Sequence, residues 1–195
     1  TLLRAGGATD TGLVRRNNQD QLLVAEHLFA VADGMGGHAG GEVASETAID
    51  ALRRAFPNPD PDGPRPSAED LRSAVRRANT AVYEQSQAME NLRGMGTTMT
   101  AAALVVDEGE ERLAIANVGD SRAYVFAQGD LTQLSEDHSV PEELVRQGQL
   151  APEEVATHPQ RHMLTRVLGI FPDVEGDLWE VIPLHGDRIP LCSDG

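Results

Sequence analysis

A chain of 195 residues, 40% of them apolar, is long enough for one globular unit with a buried core, and no internal repeat divides it. Its 31 acidic against 16 basic side chains leave a formal charge of -15, which opposes binding to nucleic acid or an anionic membrane and leaves carboxylates free to collect cations. The one cysteine, Cys192, has no partner for an internal disulfide, and neither a signal peptide nor an apolar run of about 18 residues is present, so a reducing, cytoplasmic setting is expected.

The first elements expected are two β-rich segments in "LLVAEHLFAVADG", broken at Glu26 and His27, a hairpin carrying Asp33 at the end of its second strand. A glycine-rich loop follows. From Glu42 the apolar positions Ala44, Ala48, Ala51, Leu52, Ala55 and Phe56 recur at helical spacing, and Pro57 stops that helix. The five prolines of "PNPDPDGPRP", residues 57–66, make an exposed connection. Ser67 with Asp70 matches a capping signal, and Leu71, Val75, Ala78, Val82 and Met89 mark one face of a second helix ending near Gly94. From Thr97 the period changes. "TTMTAAALVV", "RLAIANV", "SRAYVFA" and "LTQL" read as an antiparallel meander. "SVPEELVRQGQL" reads as a short helix with Ser139 as N-cap and Gly148 as its stop, and "DLWEVIP" and "RIPLC" as two further strands. Strands, then two helices, then strands do not alternate as βαβ units do, and the fold class is α+β.

The stretch "FAVADGMGGHAGGEVAS" leaves two chemistries open. Gly34, Gly36 and Ala39 satisfy G-x-G-x-x-A, the dinucleotide fingerprint. That loop needs an acidic residue about 20 positions on at the end of a parallel strand, yet a helix and a proline-rich connection follow, and Asp33 would oppose a bound pyrophosphate. The metal reading instead gathers carboxylates at strand ends: Asp33, Asp120 in "NVGDSRAYVF" and Asp194 in "LCSDG", each beside a glycine. Asp and Gly are also ordinary turn residues, so no single one of them is diagnostic. Oxygen donors without a Cys/His pattern would select Mg²⁺ or Mn²⁺ rather than Zn²⁺.

Five ordered blocks, "GLVRRNNQD", "VADGMGGHAGGEVAS", "GMGTTMTAA", "NVGDSRAYVF" and "LCSDG", resemble the successive signatures of the metal-dependent serine/threonine protein phosphatases of type 2C, in their bacterial form. The resemblance implies a four-layer αββα sandwich, two antiparallel sheets flanked by helix pairs, with a site for two Mn²⁺ or Mg²⁺ ions at one edge. It implies that Asp33 bridges the two ions, that the Gly34 carbonyl takes one and Asp194 the other, and that Asp120 with Asp194 serves a third, weaker ion. Arg15 matches the arginine that grips the substrate phosphate, and Asp20 the acidic residue near the attacking, metal-bridged water. The implied activity is hydrolysis of phosphoserine and phosphothreonine on proteins that a serine/threonine kinase has modified. A single catalytic domain over residues 1–195 is expected, with residues 138–169 matching the flap beside the active site.

The sequence departs from the family pattern at several points. Met35 stands where many members carry a histidine regarded as a general acid, and Gln19 stands where a glutamate is usual. The family's remaining metal aspartate lies beyond a helix that follows "CSDG", a stretch this sequence does not contain, so a domain without its C-terminal segment is expected. The alternative function is an inactive phosphoprotein-binding or regulatory module. His38, His138, His158 and His162 are expected as exposed polar residues rather than ligands, and Cys192 as a buried small hydrophobe.

Overall fold

The two β-rich segments at the start of the chain pair as expected: β1 (Asp20–Val24) and β2 (Leu28–Met35) form an antiparallel hairpin turned at residues 25–27. The structure, a computed structural model, describes residues 3–13, 16–36, 40–57, 63 and 65–194. Arg15, His38, Ala39 and much of the proline-rich connection therefore lie outside the described residues.

Two helices follow, α1 (Gly40–Ala55) and α2 (Ala68–Ala88). The start of α2 is a full capping box: Ser67 Oγ accepts from the Asp70 N–H at 3.2 Å, and Asp70 Oδ2 accepts from the Ser67 N–H at 2.8 Å. Such a cap stabilises a helix by about 1 kcal/mol. The helix stops at Ala88, before the predicted end near Gly94; Met89 is half exposed, and a 3₁₀ turn over Glu90–Leu92 completes the segment. The strands β3 (Gly96–Thr97), β4 (Met99–Asp107), β5 (Glu110–Val118), β6 (Arg122–Ala127) and β7 (Asp130–Gln133) follow in the expected order, but not as one meander: β4 pairs with β5 and β6 with β7 in two different sheets, because the chain crosses over at the Gly119–Asp120 turn. A short helix, α3 (Val140–Arg146), and a 3₁₀ turn over Pro152–Thr157 precede β8 (Asp177–Val181) and β9 (Leu191–Cys192). Ser139 occupies the N-cap of α3, but its side chain makes no cap hydrogen bond.

The strands form two antiparallel sheets, one in the order β1-β2-β4-β5-β8 with β3 against the end of β2, the other β7-β6-β9. Alternation along β4 and β5 explains why both sheet faces are buried. Ala101, Ala103 and Val105 of β4 and Ala114, Ala116 and Val118 of β5 meet Leu52 of α1 and Leu71, Val75 and Val82 of α2. Ala102, Leu113 and Ile115 point the other way and, with Trp179 of β8 beside them, meet Ala123, Leu134 and Leu191 at the smaller sheet. Many of the helix-side residues are alanine, which lets helix and sheet approach closely despite few aromatics. Three of the four expected layers are thus described: a helix pair, the large sheet and the small sheet. No long helix covers the small sheet among the described residues.

Two buried assignments reverse the expectation from sequence. His138 is fully buried, because its ring carries hydrogen bonds at both nitrogens inside the fold. Cys192 is exposed, because β9 pairs with β6 for only two residues at the rim of the small sheet.

Candidate active site

Two glycines of "DGMGGHAGG", Gly34 and Gly41, serve packing. Gly34 ends its strand against the first turn of α1: a Cβ there would lie 1.9 Å from the Gly41 carbonyl oxygen, and one on Gly41 would lie 2.8 Å from Gly34 O and from the Gln19 side chain. The Gln19 carbonyl holds the junction, accepting from the Gly34 N–H at 3.1 Å and from Ser45 Oγ at 2.7 Å. Both neighbours of β2 in the large sheet are antiparallel, so the parallel strand of a dinucleotide fold is absent here.

The same junction delivers Asp33. Its N–H donates to Thr98 Oγ1 at 3.0 Å, and its carbonyl accepts from the Thr98 N–H and from Thr97 Oγ1, both at 2.9 Å. Thr98 Oγ1 is paired in turn with Ser121 Oγ at 2.6 Å. Strand register sets Asp20 directly opposite Asp33. Like charges in that position repel, so the arrangement is a stability cost in the absence of a cation. Asp194 follows β9, and its neighbour Ser193 donates to Asp20 Oδ2 at 2.8 Å, tying the end of the small sheet to the hairpin. Asp120 comes from the β5–β6 turn, where Gly119 has φ +107°.

An open cleft of about 380 Å³ receives these groups: Asp33, Gly34, Asp120 and Asp194 line it together with Gln19. Asp20 is not among the lining residues, but it is within hydrogen-bonding range of Asp33, as is Asp194. Met35, His162 and Leu164 also line the cleft. His162 was legible only as one of four scattered histidines, and Leu164 carried no signal at all. Arg15 lies outside the described residues.

The electrostatics of the cleft suit a cation. Burial, reinforced by Asp20 and Asp194, pushes the Asp33 carboxyl from its ordinary 3.8 up to about 8. Asp120 is also raised, first by burial and then by Asp194. Carboxyl groups are therefore crowded here, holding protons in the ion-free chain, without a Lys or Arg among the described cleft residues to balance them. The donors are all oxygens, the set that suits Mg²⁺ or Mn²⁺. Among the described residues, no three His, Cys, Asp or Glu side chains converge into a ready-made cage. Mg²⁺ accepts such a site, since it keeps several waters and needs only one or two carboxylates.

Comparison with known proteins agrees with this geometry. Residues 14–195 match the family model described as protein phosphatase 2C. The chain is 41% identical over 194 residues to the serine/threonine protein phosphatase PstP of Mycobacterium tuberculosis, covering all of this chain and 36% of that protein. It is 38% identical to the serine/threonine phosphatase stp of Listeria monocytogenes, over 96% of this chain and 75% of that protein. The crystal structure of M. tuberculosis PstP/Ppp superposes with a TM-score of 0.84 at 42% identity, covering 95% of this chain and 75% of that one. A PstP catalytic domain in complex with two manganese ions superposes with a TM-score of 0.79 at 40% identity, covering 95% and 74%. The chain belongs to the protein phosphatase 2C family.

Proposed function

We propose that this chain is a single catalytic unit over residues 1–195 that hydrolyses phosphoserine and phosphothreonine on proteins with Mn²⁺ or Mg²⁺. Asp33, the Gly34 carbonyl and Asp194 would hold two ions, and Asp120 with Asp194 a third, weaker one. When bound, the ions supply charge neutralisation for the phosphate and a lowered pKa for water, so no protein nucleophile is required. Asp20 orients the attacking water from beside Asp33. Arg15 grips two phosphate oxygens and fixes the direction of attack. Met35 has no proton to give, so the leaving oxygen takes its proton from solvent in the open cleft. Residues 138–169 act as a flap at the substrate side. The setting is cytoplasmic signalling, against a serine/threonine kinase; no helix among the described residues is long and apolar enough to cross a membrane. The observation that carries this reading is the convergence of Asp33, Asp120 and Asp194 on one cleft in a chain of this family.

Phosphate release from a phosphothreonine peptide is expected to require Mn²⁺, to stop with chelator, and to be lost in Asp33→Ala. Arg15→Lys is expected to raise KM about tenfold, the loss of one charge-assisted hydrogen bond of ~1.5 kcal/mol. Turnover that persists in chelator would overturn the proposal. That no three His, Cys, Asp or Glu side chains form a ready-made cage among the described residues favours a second reading, a phosphoprotein-binding or regulatory module without turnover. Phosphopeptide binding without phosphate release at saturating Mn²⁺ would select it.

A further inference from the structure

The chemistry proposed above makes no use of His138, yet its side chain is fully buried and bonded at both ring nitrogens. Nδ1 accepts from the Gly119 N–H at 3.1 Å, so the ring proton must sit on Nε2, which faces Asp177 Oδ2 at 3.1 Å. Arg166 Nη1 holds the other Asp177 oxygen at 2.8 Å. A second ring proton, on Nδ1, would point at the Gly119 N–H, and burial accordingly lowers the imidazole pKa.

The backbone of His138 grips the same neighbours. Its N–H donates to the Gly119 carbonyl at 2.9 Å, and its carbonyl accepts from the Thr165 N–H at 2.9 Å. Gly119 precedes Asp120, and Thr165 follows Leu164; both Asp120 and Leu164 line the cleft. Gly119 also has the left-handed φ that other residues avoid, with a virtual Cβ 2.6 Å from Thr98, so this turn depends on outside support.

We propose that His138 is a positioning residue for the site: its Nε2-protonated ring clamps the Gly119–Asp120 turn to the 164–165 wall and so holds the Asp120 carboxylate ready for a divalent cation. The inference rests on the functional reading above. An ordinary core histidine would support stability alone, whereas a positioning residue also sets ion affinity in a folded chain.

Calorimetric titration of the full chain with Mn²⁺ tests this, with Asp120→Ala identifying the binding event concerned. His138→Ala is expected to weaken that event about ten- to hundredfold, as loss of a supporting hydrogen bond around a metal site does. His138→Asn keeps an acceptor for the Gly119 N–H and should recover most of the affinity. Leu52→Ala, a cavity in the helix-facing core, should lower the melting temperature and leave Mn²⁺ affinity unchanged. Should His138→Ala fail to fold, Asp177→Asn decides, since it leaves the ring in place and removes the carboxylate that orients it; the expected loss is about tenfold. Unchanged affinity in a folded His138→Ala or, failing that, in Asp177→Asn overturns the inference alone, as does a wild type with Mn²⁺ binding that Asp120→Ala does not affect. A wild type that binds no Mn²⁺ overturns the functional reading with it.

Discussion

Asp33 is held where a carboxylate is least comfortable: half-buried, opposite Asp20 in the register of the hairpin, and within reach of Asp194. In the ion-free chain its carboxyl, raised from 3.8 to about 8, takes up a proton on folding between those values. Its contribution to stability is therefore complete below pH 4 and disappears as pH rises through about 8. Asp33→Asn cannot ionise and escapes this loss. In chelator the variant should melt higher than wild type by about 2–4 °C at pH 8, for a repulsion of ~1 kcal/mol, and by less at pH 5. A thermal melt at the two pH values checks it; equal melting temperatures at pH 8 would count against the charge repulsion. The same substitution should remove the stabilisation by Mn²⁺, so the residue that costs the fold most is the one the proposed chemistry needs.

At the scale of elements, the junction of β2 with α1 shows how packing and chemistry share one constraint. The helix begins almost in contact with the strand at the point where Gly34 lines the cleft and Asp33 is fastened to Thr97 and Thr98. Only a residue without Cβ fits at 34, where the Gly41 carbonyl would otherwise be 1.9 Å away. Gly34→Ala should therefore destabilise the chain by about 3 kcal/mol or more through backbone displacement. Denaturant unfolding measures this, and a loss below ~1 kcal/mol would show that the junction yields easily. The sequence marked this stretch as glycine-rich and left phosphate and metal both open. Strand-to-helix contact is a third role, and spacing carries no trace of it because it depends on which helix residue faces the strand.

Over the whole molecule, the large sheet is buried on both faces, and the site lies where its hairpin meets the ends of the small sheet. Residues 20, 33, 120 and 194 are brought together from positions spread along nearly the full chain, so ion binding should stabilise the fold as a whole. Mn²⁺ at a hundredfold its dissociation constant adds about 2.7 kcal/mol, roughly 5–10 °C in melting temperature for a chain of this size. The shift should vanish in Asp33→Ala; a shift retained in that variant would place the ion elsewhere.

Most element positions were legible because they follow from local patterns: β-type apolar runs at β2, β4 and β5, the 3.6-residue period of α1 and α2, and the Ser67–Asp70 cap, all of which the structure contains. Local pattern failed where the environment is set by distant chain. His138 looked like an exposed polar residue, but Gly119 and Asp177 enclose it from either side. Cys192 looked like a core hydrophobe, but its strand ends at a rim. The sequence by itself determined the order of strands and helices, the excess of carboxylates and the family blocks, since these depend on residue type and near neighbours. Only the tertiary structure decided that Asp33, Asp120 and Asp194 share one cleft, that Asp20 stands opposite Asp33 in the hairpin, and that a buried histidine bonds both Gly119 and Asp177. Strand pairing between remote segments sets those distances, and with them the burial and charge that each group feels.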